Sequence, residues 1–165
     1  MKFTRKTDYA LRAMQNLARR HYDARSEGMT PRPVPVQAIA KDTGLSIRFL
    51  HGIVAGLSKS GLLKTVPGPK GGITLSRSPE NISILDIVEA VEGRINLMGC
   101  FEHPENCSDA NGCSIMSVLL TAQSAMATSL RNTNLKLMVK AKSDPFHALP
   151  DKHFLKPQFG CPVLK

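Results

Sequence analysis

Residues 36–76 carry the pattern that most restricts the fold of this chain. A short amphipathic helix is predicted first, and its apolar side consists of Val36, Ile39 and Ala40. Gly44 is expected to end this helix, and a longer helix is expected between Ser46, as its cap, and Gly61. The apolar side of the longer helix consists of Leu50, Ile53, Val54 and Leu57. Two helices joined by a tight glycine turn are typical of a helix-turn-helix motif, although other helical hairpins share this spacing.

A β-hairpin is predicted directly after these helices. The runs LLKTV and ITLS are rich in residues that favour strands, and the segment PGPKGG between them is rich in glycine and proline. A helix-turn-helix followed by a hairpin is the element order of a winged helix. We therefore expect a mostly α fold, with a winged helix-turn-helix domain at residues 1–80.

Two further helices are predicted around this motif. The first helix of the chain has Thr4 or Thr7 as its cap and one apolar side, made of Ala10, Ala13, Met14, Leu17 and Ala18. The segment RSEGMTPRPVP after it reads as a loop. Ser83 is expected to cap a helix over ILDIVEAVEG that ends at Gly93.

A long helix is expected from about residue 114 to 131. Its apolar stripe consists of Ile115, Val118, Leu119, Ala122, Met126 and Leu130. A helix of this length and apolarity needs a cover beside so small a domain, which favours a dimer. We therefore assign residues 81–141 to a loop with dimerisation helices, and we expect residues 142–165 to be a mostly disordered tail.

The distribution of charge favours a polyanionic partner. Residues 1–80 contain 14 lysine or arginine residues and 5 acidic residues, within a chain of net charge +9. Nucleic acid is the first candidate, although a merely basic soluble surface has the same composition. No signal peptide and no apolar run of about 20 residues is found, so we expect a cytoplasmic protein without membrane contact. No catalytic constellation is found either, so we expect neither an enzyme nor a small-molecule substrate.

Three of the four cysteines, Cys100, Cys107 and Cys113, lie in one loop of turn-forming residues. Disulfides are not expected in a reducing compartment, and pairing within the loop would leave one cysteine over. A structural zinc site usually contains a close pair of cysteines, which this loop lacks. Three thiolates suit an iron–sulfur cluster with a further ligand from elsewhere, while zinc and plain thiols remain alternatives. Cys161, in the tail, is expected to be incidental.

Candidate DNA-binding residues lie on the polar side of the longer helix and beside it. Arg48, in the first turn, could pair with guanine O6 and N7. Ser46 and the helix N-terminus suit a phosphate. The other candidates are His51 on the same side, and Lys59, Lys64 and Arg5 as phosphate contacts. Each of these could instead be a solvated surface group.

The stretches KFTRKTDYALRAMQNLA and GLSIRFLHGIVAGLSKSGLLKTVPGPKGGITLSRSPENISILDIVEAVEG, together with the cysteine loop, resemble a family of bacterial winged-helix regulators. This family includes the IscR, NsrR and RirA types, and the resemblance covers roughly residues 1–140. It implies a homodimeric transcription regulator, which we expect to be a repressor, on a near-palindromic double-stranded DNA. It also implies a 4Fe–4S or 2Fe–2S cluster on the three loop cysteines, through which iron, nitric oxide or redox state controls DNA affinity.

The resemblance also bears on single positions. The NsrR type can use an aspartate in the first helix as a cluster ligand, which implies Asp8, from the same or the partner subunit, as the fourth ligand. Asp8 could instead be a favourable charge at a helix N-terminus. The sequence departs from the family pattern at Met116, where IscR types have histidine, and at Ile73, where the wing has tyrosine. Pro67 replaces a wing arginine, which leaves Lys70 as the nearest cation for the minor groove.

Two other functions remain open. One is a cluster-free regulator of the same fold that responds to thiol chemistry or to a small effector. The other is a small iron–sulfur electron-transfer protein, which would leave the basic hairpin unused.

Overall fold

The computed structural model describes residues 3–69, 71–101, 103 and 113–140. The predicted tail, residues 142–165, lies outside them. The described elements are α1 (Arg5–Ser26), α2 (Val36–Thr43), α3 (Ile47–Lys59), β1 (Leu63–Val66), β2 (Gly72–Leu75), α4 (Ile84–Glu92), α5 (Ser114–Asn132) and α6 (Leu135–Lys140), with short 3-10 helices at Pro79–Asn81 and Gly99–Phe101. The expected mostly α winged-helix fold is confirmed.

Helix α1 is the centre of the fold and contacts α2, α3, α4, α6 and β2. All five residues of its predicted apolar side are buried: Ala10, Ala13, Met14, Leu17 and Ala18. Thr4 is the N-cap, and its hydroxyl accepts a hydrogen bond from the Lys6 N–H at 3.1 Å. The helix continues to Ser26, two residues into the segment expected to be a loop, because the first strong helix breaker there is Gly28.

The helix-turn-helix has the predicted boundaries. Helix α2 ends at Gly44, whose φ of 68° is a left-handed conformation that favours glycine. Helix α3 buries the four predicted residues, Leu50, Ile53, Val54 and Leu57. Ser46 occupies the N-cap position of α3, but its side chain forms no capping hydrogen bond.

The hairpin pairs β1 with β2 in antiparallel register, with Lys64 opposite Thr74. A third segment extends it, because Val34 and Ile73 exchange backbone hydrogen bonds of 2.8 and 2.9 Å. A Cβ atom at Gly72 would lie 2.3 Å from the Val34 carbonyl oxygen. Only glycine therefore allows this close approach, which fixes the hairpin to the segment before α2.

Helices α4 to α6 complete the structure. The predicted cap of α4 is confirmed as a capping box, in which Ser83 and Asp86 bond to each other's backbone N–H. Helix α5 packs on α4, and α6 returns to α1 with Leu135 fully buried. The Ile84 N–H donates to the Thr133 carbonyl, and the Leu135 N–H donates to the Ile82 carbonyl. These backbone bonds attach the connection between α5 and α6 to the start of α4. None of the described helices combines the length and the apolar character that a membrane span requires.

Candidate nucleic-acid interface and cysteine loop

The burial of one side of α3 determines which residues its other side exposes to solvent. Because Leu50, Ile53 and Leu57 face the core, the opposite side is open to solvent. The predicted site residues on this helix are all exposed: Ser46, Arg48, His51 and Lys59. The structure therefore places a cationic, uncovered helix side where the sequence predicted a recognition surface.

A groove of about 380 Å³ separates α3 from the hairpin. His51 and Val54 line it from α3, and Thr65 and Val66 line it from β1. Lys64 is exposed on β1, next to Thr65, and Arg5 is exposed at the start of α1. Lys70 lies outside the described residues, so its predicted role at the hairpin tip stays a prediction.

Phe49 was not identified from the sequence. It lies in the first turn of α3 with 64% of its surface exposed. Its ring contacts the Tyr9 ring edge-to-face, with centroids 6.2 Å apart and planes at 87°. A phenylalanine next to a buried leucine is most often read as core, and only the phase of the helix shows that its side chain points outward.

Two of the three loop cysteines lie in the described part of the chain. Cys100 lies in the short helix Gly99–Phe101, and Cys113 is the N-cap of α5. Both are half-buried free thiols, and the Cys113 Sγ accepts a hydrogen bond from the Met116 N–H at 3.4 Å. Cys107 and Cys161 lie outside the described residues. Within the described part, no group of three or more histidine, cysteine or acidic side chains is placed to hold a metal ion.

Asp8 is an exposed residue in the first turn of α1. Its carboxylate pairs with the Arg12 guanidinium at 3.0 Å, and both side chains are about half exposed. The position of Asp8 near the positive end of the helix dipole agrees with its reading as a helix-end charge. The pair with Arg12 was not predicted, although its spacing of four residues is the usual one for such pairs.

The C-terminal end of α4 is bonded to the first turn of α1. The Glu92 carboxylate accepts hydrogen bonds from the Thr4 N–H at 3.2 Å and from the hydroxyls of Thr4 and Thr7. The hydrogen bond from the Thr4 hydroxyl, followed by that from the Thr7 hydroxyl, holds the pKa of Glu92 below its usual value. The Lys6 ammonium donates to the Val91 carbonyl at 2.9 Å. The last turn of α4, after which the chain continues to the cysteine loop, is therefore attached to the turn that carries Asp8.

The apolar stripe predicted on α5 divides along its length. Met126 and Leu130, in the C-terminal half, pack against the core of the same chain. Ile115 and Val118, near the N-terminal end, are 65% and 67% exposed. The Gln123 side chain also accepts a hydrogen bond from the Leu97 N–H at 2.9 Å, which attaches the start of the cysteine loop to α5.

These features define a class of protein: a winged helix-turn-helix transcription regulator. The family model described as "Rrf2: Iron-dependent Transcriptional regulator" matches residues 3–141. The chain belongs to the Rrf2 family, which confirms the resemblance found in the sequence.

Three relatives illustrate the match. The HTH-type transcriptional regulator NsrR of Halalkalibacterium halodurans is 33% identical over 137 residues, which are 82% of this chain and 88% of the relative. The solved structure of T. potens IscR is 27% identical, covers 90% of this chain and 93% of its own, and has a TM-score of 0.66. The oxidised form of Staphylococcus aureus CymR is 25% identical, covers 87% and 100%, and has a TM-score of 0.64. The named relatives are regulators, so the expectation that this chain is not an enzyme is confirmed.

Proposed function

We propose that this Rrf2 regulator controls transcription through an iron–sulfur cluster held by Cys100, Cys107 and Cys113. The observation that carries the proposal is the position of Cys113. Its Sγ accepts the Met116 N–H at the N-terminus of a helix of 19 residues. A backbone N–H directed at a cysteine sulfur suits a cluster ligand, because hydrogen bonds to the sulfurs tune iron–sulfur clusters.

The chemistry of the donor set fits a cluster. Cys100 stands at the start of the loop and Cys113 at its end, neither thiol is used in a disulfide, and Cys107 lies between them in the sequence. A bound 4Fe–4S or 2Fe–2S cluster would supply iron that changes its ligands or oxidation state in response to iron supply, nitric oxide or redox conditions. Two half-buried cysteines would hold such a group while leaving small reactants access to it.

Asp8 is the proposed fourth ligand, from the same or the partner subunit. Its exposed carboxylate is accessible to another chain, but it would have to leave its ion pair with Arg12. Carboxylate is a weak partner for iron beside thiolate, so this bond would be the first to yield to a competing ligand. The alternative role, a helix-end charge, requires no metal.

The proposed assembly is a homodimer in the cytoplasm. The exposed side chains of Ile115 and Val118 on α5 support it, because a second copy of the helix would bury apolar surface that the single chain leaves in water. Two recognition helices related by a dyad would read a near-palindrome whose half-sites lie about 34 Å apart, or a multiple of that distance. We assign residues 81–141 to this dimerisation and cluster unit.

The DNA contacts follow from the exposed residues. Arg48 would read a guanine, Ser46 and the N-terminus of α3 would hold a phosphate, and His51 would face the groove beside the hairpin. Lys59, Lys64 and Arg5 would contact phosphates without reading sequence, and Lys70 would do so from the hairpin tip. With the operator bound across a promoter, such a dimer acts as a repressor.

Anaerobic purification tests the cluster directly. We expect a coloured protein with iron and acid-labile sulfide, and loss of visible absorbance in Cys100→Ala and Cys107→Ala. For the third cysteine Cys113→Ser is preferable, because serine keeps the helix cap while it ligates iron poorly. Cys161→Ala is the control and should keep the colour. A colourless wild type, or equal loss in the Cys161 variant, would contradict the proposed ligand set.

A cluster-free, thiol-responsive regulator is the second candidate. Half-buried free thiols and the likeness to a regulator solved in an oxidised form favour it. In that case the protein is colourless, and DNA affinity changes on thiol oxidation. An electron-transfer role would instead be indicated by a coloured protein without specific DNA binding.

A further inference from the structure

Gly52 lies in the interior of α3, where no close contact with another described residue requires a glycine. Glycine in the middle of a helix is destabilising relative to alanine. A Cβ atom at Gly52 would meet no atom of the described residues within 4 Å, so they leave room for a side chain there. At Gly56, by contrast, a Cβ atom would contact the Ala90 carbonyl oxygen of α4 at 3.6 Å. Within the described residues, therefore, no neighbour requires a bare backbone at Gly52.

Phe49 stands beside this bare backbone. Residues three apart on a helix are neighbours on its surface, so Phe49 and Gly52 occupy adjacent exposed positions of α3. The edge-to-face contact with Tyr9 restrains the ring, yet 64% of Phe49 remains exposed. We call this feature the Phe49–Gly52 notch: an exposed apolar side chain next to helix backbone that no side chain of the described residues covers.

We propose that the Phe49–Gly52 notch receives the C5-methyl group of one thymine in each operator half-site. This inference rests on the proposed DNA binding by α3. The notch lies directly beside Arg48, the residue proposed to read a guanine. The thymine methyl is the apolar group that a base pair presents in the major groove, and phenylalanine is among the side chains that contact it. The missing Cβ at Gly52 lets a base edge approach the helix more closely than any other residue would.

Uracil substitution in the DNA tests the notch, since it removes one methyl group and nothing else. The operator is first selected from random duplexes with the wild-type protein, and each thymine is then replaced singly. At one thymine per half-site, we expect wild-type affinity to fall about fourfold, the value for one buried methyl group. Phe49→Ala should bind thymine and uracil equally at that position, and Phe49→Leu should keep part of the difference.

Two further variants separate recognition from stability. Met29→Ala, which truncates a side chain 47% exposed in the loop before α2, should leave the uracil effect unchanged. Gly52→Ala should raise the melting temperature, because alanine favours the helix, and yet weaken specific binding, because its methyl group fills the notch. A merely structural role of Gly52 would move stability and binding in the same direction.

The outcomes distinguish this inference from the proposal beneath it. If selection with wild-type protein yields no specific DNA, DNA recognition and the notch both fail. If specific DNA is found but no uracil position loses its effect in Phe49→Ala, the notch alone fails. A Phe49→Ala protein with unchanged base preference and weakened self-association would also overturn it, because the ring would then belong to a contact between subunits.

Discussion

The Glu92 carboxylate, at the end of α4, accepts a hydrogen bond of 3.2 Å from the backbone N–H of Thr4, the N-cap of α1. The Thr4 hydroxyl donates to the same carboxylate at 2.5 Å. Gly93 follows Glu92 and begins the segment that leads to Cys100. A displacement of the cysteine loop would therefore act on the first turn of α1, and α1 packs directly on the recognition helix α3.

Asp8 lies in this first turn of α1, and its proposed role as a cluster ligand can be tested. In Asp8→Ala the three thiolates remain, so we expect a cluster still to bind. The difference in DNA affinity between the cluster-bound and apo forms should become much smaller, because the fourth bond is lost. DNA titrations of both forms, at one salt concentration, measure this. Arg12→Ala, which breaks the ion pair but keeps the carboxylate, is the matched control, and a full wild-type difference in Asp8→Ala would reduce Asp8 to a helix-end charge.

Arg48 is predicted to read a base. Arg48→Ala should lower specific DNA affinity by about 1–3 kcal/mol and relax the preference at one base position. Binding to a panel of single-base operator variants measures both effects. Arg25→Ala removes one positive charge at the far end of α1 and should leave the preference intact. Unchanged selectivity in Arg48→Ala would show that this side chain does not read sequence.

Lys59 and Lys64 are predicted to bind phosphates. Each replacement by alanine should weaken binding to all sequences alike and make the plot of log affinity against log salt shallower by about one unit. Lys136→Ala is the control, since this lysine pairs with Glu80 at 3.4 Å on α6. An equal change of slope in the control would mean that the measurement reports overall charge rather than contacts.

The lowered pKa of Glu80 predicts that the stability of the protein depends on pH. The hydrogen bond of 2.7 Å from the Tyr22 hydroxyl is the main cause that lowers the pKa of Glu80 from 4.5 to about 2. A lowered pKa in the folded state stabilises the protein above about pH 4.5, and this contribution is lost as the pH falls towards 2. Urea unfolding of Glu80→Gln across this range should therefore show a weaker loss of stability in acid than the wild type.

The elements of the winged helix were predictable because their signals are local. The spacing of Leu50, Ile53 and Leu57 sets the phase of α3, and the phase alone places Arg48 and Lys59 in solvent. The exposure of these side chains is thus confirmed, while their roles toward DNA stay predictions.

Contacts between distant segments were not predictable. Thr4 and Glu92 are 88 residues apart, and no local pattern indicates that a threonine cap will meet that carboxylate. The stripe on α5 shows the same limit, because periodicity identifies apolar residues but not which neighbour covers them. Leu130 packs on its own chain, whereas Val118 is exposed.

The central claim is that a cluster on Cys100, Cys107 and Cys113 controls DNA affinity. The most direct measurement is titration of one selected operator with the same anaerobic preparation, before and after removal of its iron, at one salt concentration. We predict affinities that differ by about 1–3 kcal/mol, the usual coupling between two sites, and no such difference in Cys100→Ala. Equal affinities of a verified cluster-bound form and its apo form would contradict the account.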